Sequence, residues 1–259
     1  MILCFDIGNT LIKIGLFDEK SLIKKAYLLS KEKYSKKDYI KKLEAFDFGK
    51  IDRVCYSSVA PRVDAFLIDA IKELYKCDIL VIDSKCKSDI TFEIDNKNEL
   101  GSDLLAALVS VKERYGYPSI IADLGTANKV LVLDDKGAFV SAFISSGMET
   151  SVQSLFSNTD LLPNIQLKNP ENFLAKNTID AINNGVTLTN IEYLKGIANQ
   201  IEQHLGYKCK RFLTGGYSKL VKDTLKNEYV YDEDIVLYGL FILINKNWGF
   251  YGNKIWYFN

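Results

Sequence analysis

One pattern occurs twice in the chain, 117 residues apart. An apolar run, Ile2 to Phe5, ends in Asp6-Ile-Gly-Asn-Thr10. An alternating strand, Leu11 to Phe17, follows, then a turn at Asp18-Glu-Lys-Ser21 and a third strand, Leu22 to Ser30. The second copy runs Ile120-Ile-Ala-Asp-Leu-Gly-Thr126, then Lys129 to Leu133, a turn at Asp134-Asp-Lys-Gly137, and Ala138 to Ile144. With Asp6 laid on Asp123, Gly8 falls on Gly125 and the Asp18 turn falls on Asp135-Lys-Gly. A repeat of this length is a duplicated domain, not a solenoid unit. It predicts an α/β protein of two similar lobes, 1–116 and 117–259, each a mixed sheet flanked by helices. The boundary falls near Gly116-Tyr-Pro118.

Charge and cysteine content narrow the function classes. Lys+Arg and Asp+Glu both number 33, so the net charge is zero, where a nucleic-acid binder would show a basic excess. The lysines from Lys31 to Lys42 are interleaved with Tyr, Glu and Asp and describe a solvated helix face. The five cysteines are odd in number and lack any CxxC spacing, which implies free thiols and neither a disulfide framework nor a zinc site. His204 is the only histidine and lies in a polar helical stretch, which argues against a histidine-based triad or a histidine-rich metal site. No run of eighteen apolar residues is present, and Met1 to Asp6 lacks the basic start of a signal peptide. A cytoplasmic protein, with neither membrane nor nucleic acid as partner, is the expectation.

Between the repeats, Tyr34 to Phe46 has helical spacing, and Ile51 to Val59 is strand-like. Pro61 opens a helix through Tyr75, and Ile79 to Ile82 and Ile90 to Ile94 are short strands. Leu100 to Arg114 carries apolar residues at 104, 105, 108, 109 and 111, a helical period. After the second repeat come a helix over Met148 to Ser157, an irregular stretch to Asn177, and a long helix from Thr178 to Leu205. Arg211 to Thr214 is a strand ending in Gly215-Gly216. Asp234 to Asn245 is apolar on most faces and predicts a buried helix. The aromatic tail from Trp248 to Phe258 has no assignable structure; it could supply apolar contact surface.

Three glycine-containing turns therefore follow apolar strands: Asp6-Ile-Gly-Asn-Thr10, Asp123-Leu-Gly-Thr-Ala127 and Leu213-Thr-Gly-Gly-Tyr217. A turn at a strand end projects backbone N–H groups, and glycine lets a phosphate approach them. A neighbouring carboxylate can hold Mg²⁺ against the phosphate oxygens. Any one of these turns alone is an ordinary strand ending. Two in register across a duplication, with a third at another strand end, resemble the phosphate and adenosine motifs of the actin, sugar-kinase and heat-shock chaperone superfamily. That resemblance implies two ribonuclease-H-like lobes with ATP in the cleft between them.

Within the superfamily the chain resembles the type III pantothenate kinases. Asp6-Ile-Gly-Asn-Thr10 with Lys13, Ser57-Ser-Val-Ala-Pro61, Asn98-Glu-Leu-Gly-Ser-Asp103 and Asp123-Leu-Gly-Thr-Ala127 are similar to family segments. So are Ser146-Gly-Met with Ser151, Leu155 and Leu162-Pro163, then Lys176-Asn-Thr178, Thr214-Gly-Gly216 and Gly239-Leu240. They run in family order over nearly the whole chain. The resemblance implies phosphorylation of pantothenate to 4′-phosphopantothenate by ATP, the first step of coenzyme A biosynthesis. It assigns Asp103 as the general base, at a helix start that suits a carboxylate. Asp6 would hold Mg²⁺; Gly8, Asn9, Thr10, Lys13, Gly125 and Thr126 would lie at the phosphates. Gly215 and Gly216 would lie at the adenosine. Gly101, Ser102 and Thr178 join Asp103 on the pantothenate side, although Thr178 also suits a helix N-cap. Asp123 would help bind a monovalent cation, K⁺ or NH₄⁺. A homodimer is implied as well.

Five residues, at four places, depart from the family pattern. Leu104 stands where an arginine follows the catalytic acid, removing a charge-assisted contact worth about 1.5–3 kcal/mol. Lys97 replaces a proline, Asn128-Lys129 replaces the threonine after the second turn, and Ser146 replaces another proline. Lys97 and Lys129 are candidates to compensate for Leu104. The ATP-side signatures are better kept than the pantothenate-side ones. Two other readings therefore stay open: a non-catalytic relative with a regulatory or binding role, and a kinase for another small hydroxylated substrate.

Overall fold

The computed structural model describes residues 1–248; the tail beyond Trp248 lies outside the described residues. In chain order the strands and helices begin with β1 (Ile2–Ile7), β2 (Leu11–Phe17), β3 (Leu22–Leu29) and α1 (Lys36–Ala45). β4 (Arg53–Ser58), α2 (Pro61–Tyr75), β5 (Ile79–Val81) and β6 (Thr91–Phe92) follow. Then come α3 (Ser102–Tyr115), β7 (Ser119–Leu124), β8 (Ala127–Leu133), β9 (Ala138–Ser146) and α4 (Met148–Ser157). The chain closes with α5 (Thr178–Leu205), β10 (Lys210–Thr214), α6 (Lys222–Leu225), β11 (Val230–Tyr231) and α7 (Ile235–Asn247).

The chain forms two compact units. The first takes Met1–Ile90, Asp95–Arg114 and the chain from Asp234 on; the second takes Thr91–Ile94 and Tyr115–Glu233. The first unit holds a five-stranded sheet in the order β3-β2-β1-β4-β5. β1, β2 and β3 pair antiparallel, while β4 joins β1 and β5 joins β4 in parallel. β1 is buried along its whole length, as expected of a central strand covered on both faces. α1 and α2 cover one core with Tyr39, Leu43, Val63, Leu67 and Ile71. α2 begins at Pro61, whose missing N–H costs nothing at that position. α7 packs on β1, β2 and β4, with Phe241 stacked on Phe17 of β2 at 4.6 Å.

The second unit repeats this arrangement. Its sheet runs β11-β10-β7-β8-β9-β6, so β9-β8-β7-β10-β11 matches β3-β2-β1-β4-β5 strand for strand. The directions match too: β7, β8 and β9 are antiparallel, and β10 and β11 join in parallel. The addition is β6, which pairs in parallel with the edge strand β9. This unit has its own core, built from Ile120, Val130, Met148, Leu194, Ala198 and Leu213 among others. The sequence-predicted strand over 90–94 is the two-residue β6, and β11 is a strand the sequence reading omits.

Candidate active site

In each unit the acid of the turn sits at the carboxyl end of the central strand, and its neighbours are fixed by register. In the first unit Asp6 of β1 lies opposite Lys13 on β2 and beside Ser57 on β4. In the second, Asp123 of β7 lies opposite Lys129 on β8 and beside Thr214 on β10. An acid, a cross-hairpin lysine and a hydroxyl residue on the next parallel strand thus recur in the same three places. The duplication extends from the fold to the side chains around the acid.

In the first unit Gly8 N–H donates to Leu11 O at 3.0 Å and closes the turn. Its amide is occupied, so Gly8 shapes the turn and Asn9 and Thr10 present it. Arg62, at the start of α2, donates to Asn9 O at 2.5 Å and to Asn9 Oδ1 at 3.4 Å. This guanidinium at the turn was not among the sequence candidates. Nothing in the periodicity of α2 distinguishes Arg62 from a solvated helix residue.

Asp103 belongs to the same unit, in the first turn of α3 after Gly101 and Ser102. Its side chain is buried, and its Oδ1 accepts from Leu104 N–H at 2.9 Å. The link to Asp6 is a hydroxyl pair: Ser57 Oγ lies 2.8 Å from Ser102 Oγ. Ser57 is the register neighbour of Asp6, and Ser102 precedes Asp103. Two carboxylates 97 positions apart in the chain are therefore held at one edge of one unit. Leu104 is half-buried on α3, and Lys97 is exposed on a 3-10 turn, Lys97–Glu99.

In the second unit Thr126 O accepts from Gly147 N–H at 3.1 Å and from Thr150 Oγ1 at 2.7 Å, which fixes the Gly125-Thr126 turn on the start of α4. Gly215 has φ of +95° and is buried. A Cβ on it would stand 2.4 Å from Asp123 Oδ1 and 2.5 Å from Leu124 N, so only glycine fits. Gly216 is exposed, with open space where its Cβ would be. Of the two glycines, the first is demanded by the fold. Ser218 Oγ donates to Gly215 O at 2.5 Å, and Tyr217 OH donates to Glu149, tying the segment down.

The two replaced positions on β8 have distinct partners. Asn128 Nδ2 donates to Ser146 O at 3.1 Å and to Asn190 Oδ1 at 2.5 Å, joining β8 to β9 and α5. Lys129 Nζ lies 3.0 Å from Asp123 Oδ2.

Thr178 is the first residue of α5 and is exposed; the N-cap is Asn177, whose side chain accepts from Asp180 N–H at 2.9 Å. Thr178 lines an open groove of about 1040 Å³ in the second unit, with Ser146, Ser151, Leu155, Leu162 and Asn190. The lining combines apolar side chains with hydroxyl and amide groups and one cation, Lys176, and suits a small polar organic molecule. Among the described residues no group of three His, Cys, Asp or Glu is placed to hold a metal ion. Likewise no helix is long and apolar enough to cross a membrane.

A family model described as type III pantothenate kinase matches residues 2–200. A type III pantothenate kinase from Dictyoglomus turgidum is 34% identical over 258 residues, covering 95% of this chain and 100% of that one. Among solved structures, a Campylobacter jejuni protein described as a Baf family transcriptional activator superposes with a TM-score of 0.57 at 19% identity, covering 95% of this chain and 99% of that one. MreB5 of Spiroplasma citri bound to ADP gives 0.50 at 9% identity, covering 96% and 98%. At these identities the two structural likenesses speak to the fold.

Proposed function

The chain belongs to the type III pantothenate kinase family, and from that premise we propose how its own residues carry out the family's reaction. That reaction is the ATP-dependent phosphorylation of pantothenate, which opens coenzyme A biosynthesis. The observation that carries the residue assignment is the Asp6–Ser57–Ser102–Asp103 linkage, which keeps two buried carboxylates at one edge of the first unit.

Asp103 takes the proton of the pantothenate hydroxyl as that oxygen attacks the γ-phosphorus of ATP. Phosphoryl transfer needs positioning and a proton acceptor more than a strong nucleophile, and a carboxylate suffices. Asn9, Thr10 and Lys13 hold phosphate oxygens, with Arg62 fixing Asn9. Thr126 holds phosphate oxygens from the second unit, on a turn anchored by Gly147 and Thr150. Gly216, exposed and with open space at its Cβ position, gives the adenosine a bare stretch of backbone beside the buried Gly215. Asp6, a single carboxylate at a strand end, fits Mg²⁺, which binds through one or two carboxylates plus substrate phosphates. When bound, the metal supplies charge neutralisation on the phosphates. The groove at Thr178 takes the pantothenate amide region, and its hydroxyl and amide side chains suit an amide and hydroxyls.

A homodimer is part of the proposal. In the second unit Ile144, Leu161, Phe173, Leu174 and Ile179 are exposed apolar side chains, and a second copy would cover such a surface. Light scattering at micromolar concentration should give twice the 29.3 kDa chain mass. A cytoplasmic location suits the five free cysteines.

The test is ADP release by the purified chain with ATP and Mg²⁺, with and without pantothenate. Release that requires pantothenate, and yields phosphopantothenate by mass spectrometry, is the expected result. ADP release indifferent to pantothenate would contradict the assignment.

A further inference from the structure

A monovalent cation at Asp123 is implied by the family resemblance, and the side chains around this carboxylate do not fit one. Asp123 Oδ2 already faces Lys129 Nζ at 3.0 Å. Both side chains are largely shielded, with 13% exposure for Asp123 and 22% for Lys129, so water does little to weaken the pair. The other oxygen, Oδ1, lies against the main chain at Gly215, where a Cβ would stand 2.4 Å from it. The ammonium is not a chance visitor from a long loop: Lys129 is the direct antiparallel partner of Asp123 in the β7–β8 hairpin. The same hairpin in the first unit sets Lys13 opposite Asp6.

We propose that the Lys129 ammonium is a built-in monovalent cation, neutralising Asp123 in place of dissolved K⁺ or NH₄⁺, so that this kinase works without either ion. An alkylammonium and NH₄⁺ present the same charge and the same kind of N–H donor to a carboxylate. A dissolved cation at the same oxygen would meet the like charge of Lys129 and be repelled. The tether also removes the cost of recruiting the ion from solution, since the lysine is held by its strand. Asp123, Lys129 and Gly215 form one set within the second unit, so this arrangement steadies the turn Gly125-Thr126 beside it. The inference rests on the kinase reading given above.

The experiment measures pantothenate phosphorylation in KCl, NH₄Cl and choline chloride at equal ionic strength, for the wild type and for Lys129→Thr and Lys129→Ala. Thermal midpoints are recorded in the same salts without substrates. The wild type should turn over at the same rate in all three salts, with one midpoint throughout. The variants should lose about 10- to 100-fold in choline chloride, the usual range for disturbing a group that supports a cation site. KCl or NH₄Cl should restore most of that rate and raise the variants' midpoints, because a cation bound only by the folded state stabilises it. A wild-type rate or midpoint that climbs with K⁺ would overturn the proposal. So would variants that respond to no salt; with a raised KM for ATP, they would identify Lys129 as a phosphate ligand. Absence of turnover in every salt would count against the kinase reading instead, and the midpoints alone would then decide the role of Lys129.

Discussion

Gly215 and Gly216 look alike in the sequence, and the structure separates them. Gly215 combines a φ of +95° with a Cβ position already filled by Asp123 and Leu124, whereas Gly216 has open space. Gly215→Ala should cost about 1–3 kcal/mol from the backbone conformation alone, and displace Asp123 as well. Gly216→Ala should be nearly silent. Chemical denaturation of the two variants measures the difference, and equal stabilities would count against the geometry. The turn residues Asp6, Gly8, Thr10, Asp123, Gly125, Thr126 and Gly215 were legible as strand-end motifs because phosphate binding at a turn needs Asp, Gly and Thr at short spacing, whereas Asp103 and Thr178 came only from the family resemblance. Ser57 and Arg62 were not legible as site residues. Their roles come from strand register and from a helix start folding back on the turn, neither of which leaves a local pattern.

At the scale of elements, periodicity located the long segments and failed on the short ones. α5 spans Thr178–Leu205 as its spacing predicts, but Asn177 rather than Thr178 caps it. β11 is two residues long, too short to alternate, and is held by β10. Two inter-element contacts make predictions. α7 approaches α3 so closely at Gly239 that a Cβ would lie 1.9 Å from Ala106 O. Gly239→Ala should therefore destabilise the chain by about 1–3 kcal/mol or more, seen as a lowered thermal midpoint, despite alanine's better helix propensity. In the second unit, Glu202 of α5 meets Arg211 of β10 at 2.8 Å and Lys208 at 2.7 Å. Burial pushes the Glu202 carboxyl up, but hydrogen bonds from Arg211, Lys208 and the Cys209 amide outweigh it and bring the pKa down to about 2. A folded-state pKa below the unfolded value of 4.5 stabilises the fold above that pH, and the stability drains away as pH falls from about 4.5 to 2. Glu202→Gln should be less stable than wild type at pH 7 and show a flatter loss across that window. Parallel acid-denaturation curves for the two proteins would contradict this.

For the whole molecule, the duplication was legible because each copy keeps strand, acidic turn, strand, turn and strand in one continuous stretch. It predicted two like sheets, and the order β3-β2-β1-β4-β5 recurs as β9-β8-β7-β10-β11. The membership of α7 in the first unit and of Thr91–Ile94 in the second was not legible, since nothing local encodes which sheet a distant segment joins. The buried character of α7 was legible from its apolar faces, and its partner was not. The same logic holds for function. Family motifs carried the reaction, while the Asp6–Asp103 linkage and the Lys129–Asp123 pair emerged only when strands were set side by side. The measurement that tests the account most directly is the steady-state rate of pantothenate phosphorylation by Asp103→Asn, with ATP affinity measured by calorimetry. The account predicts that kcat falls by about 10²- to 10⁴-fold, the span a positioned general base supplies, while ATP binds as it does to the wild type. A variant that phosphorylates pantothenate at the wild-type rate would show that Asp103 is not the base.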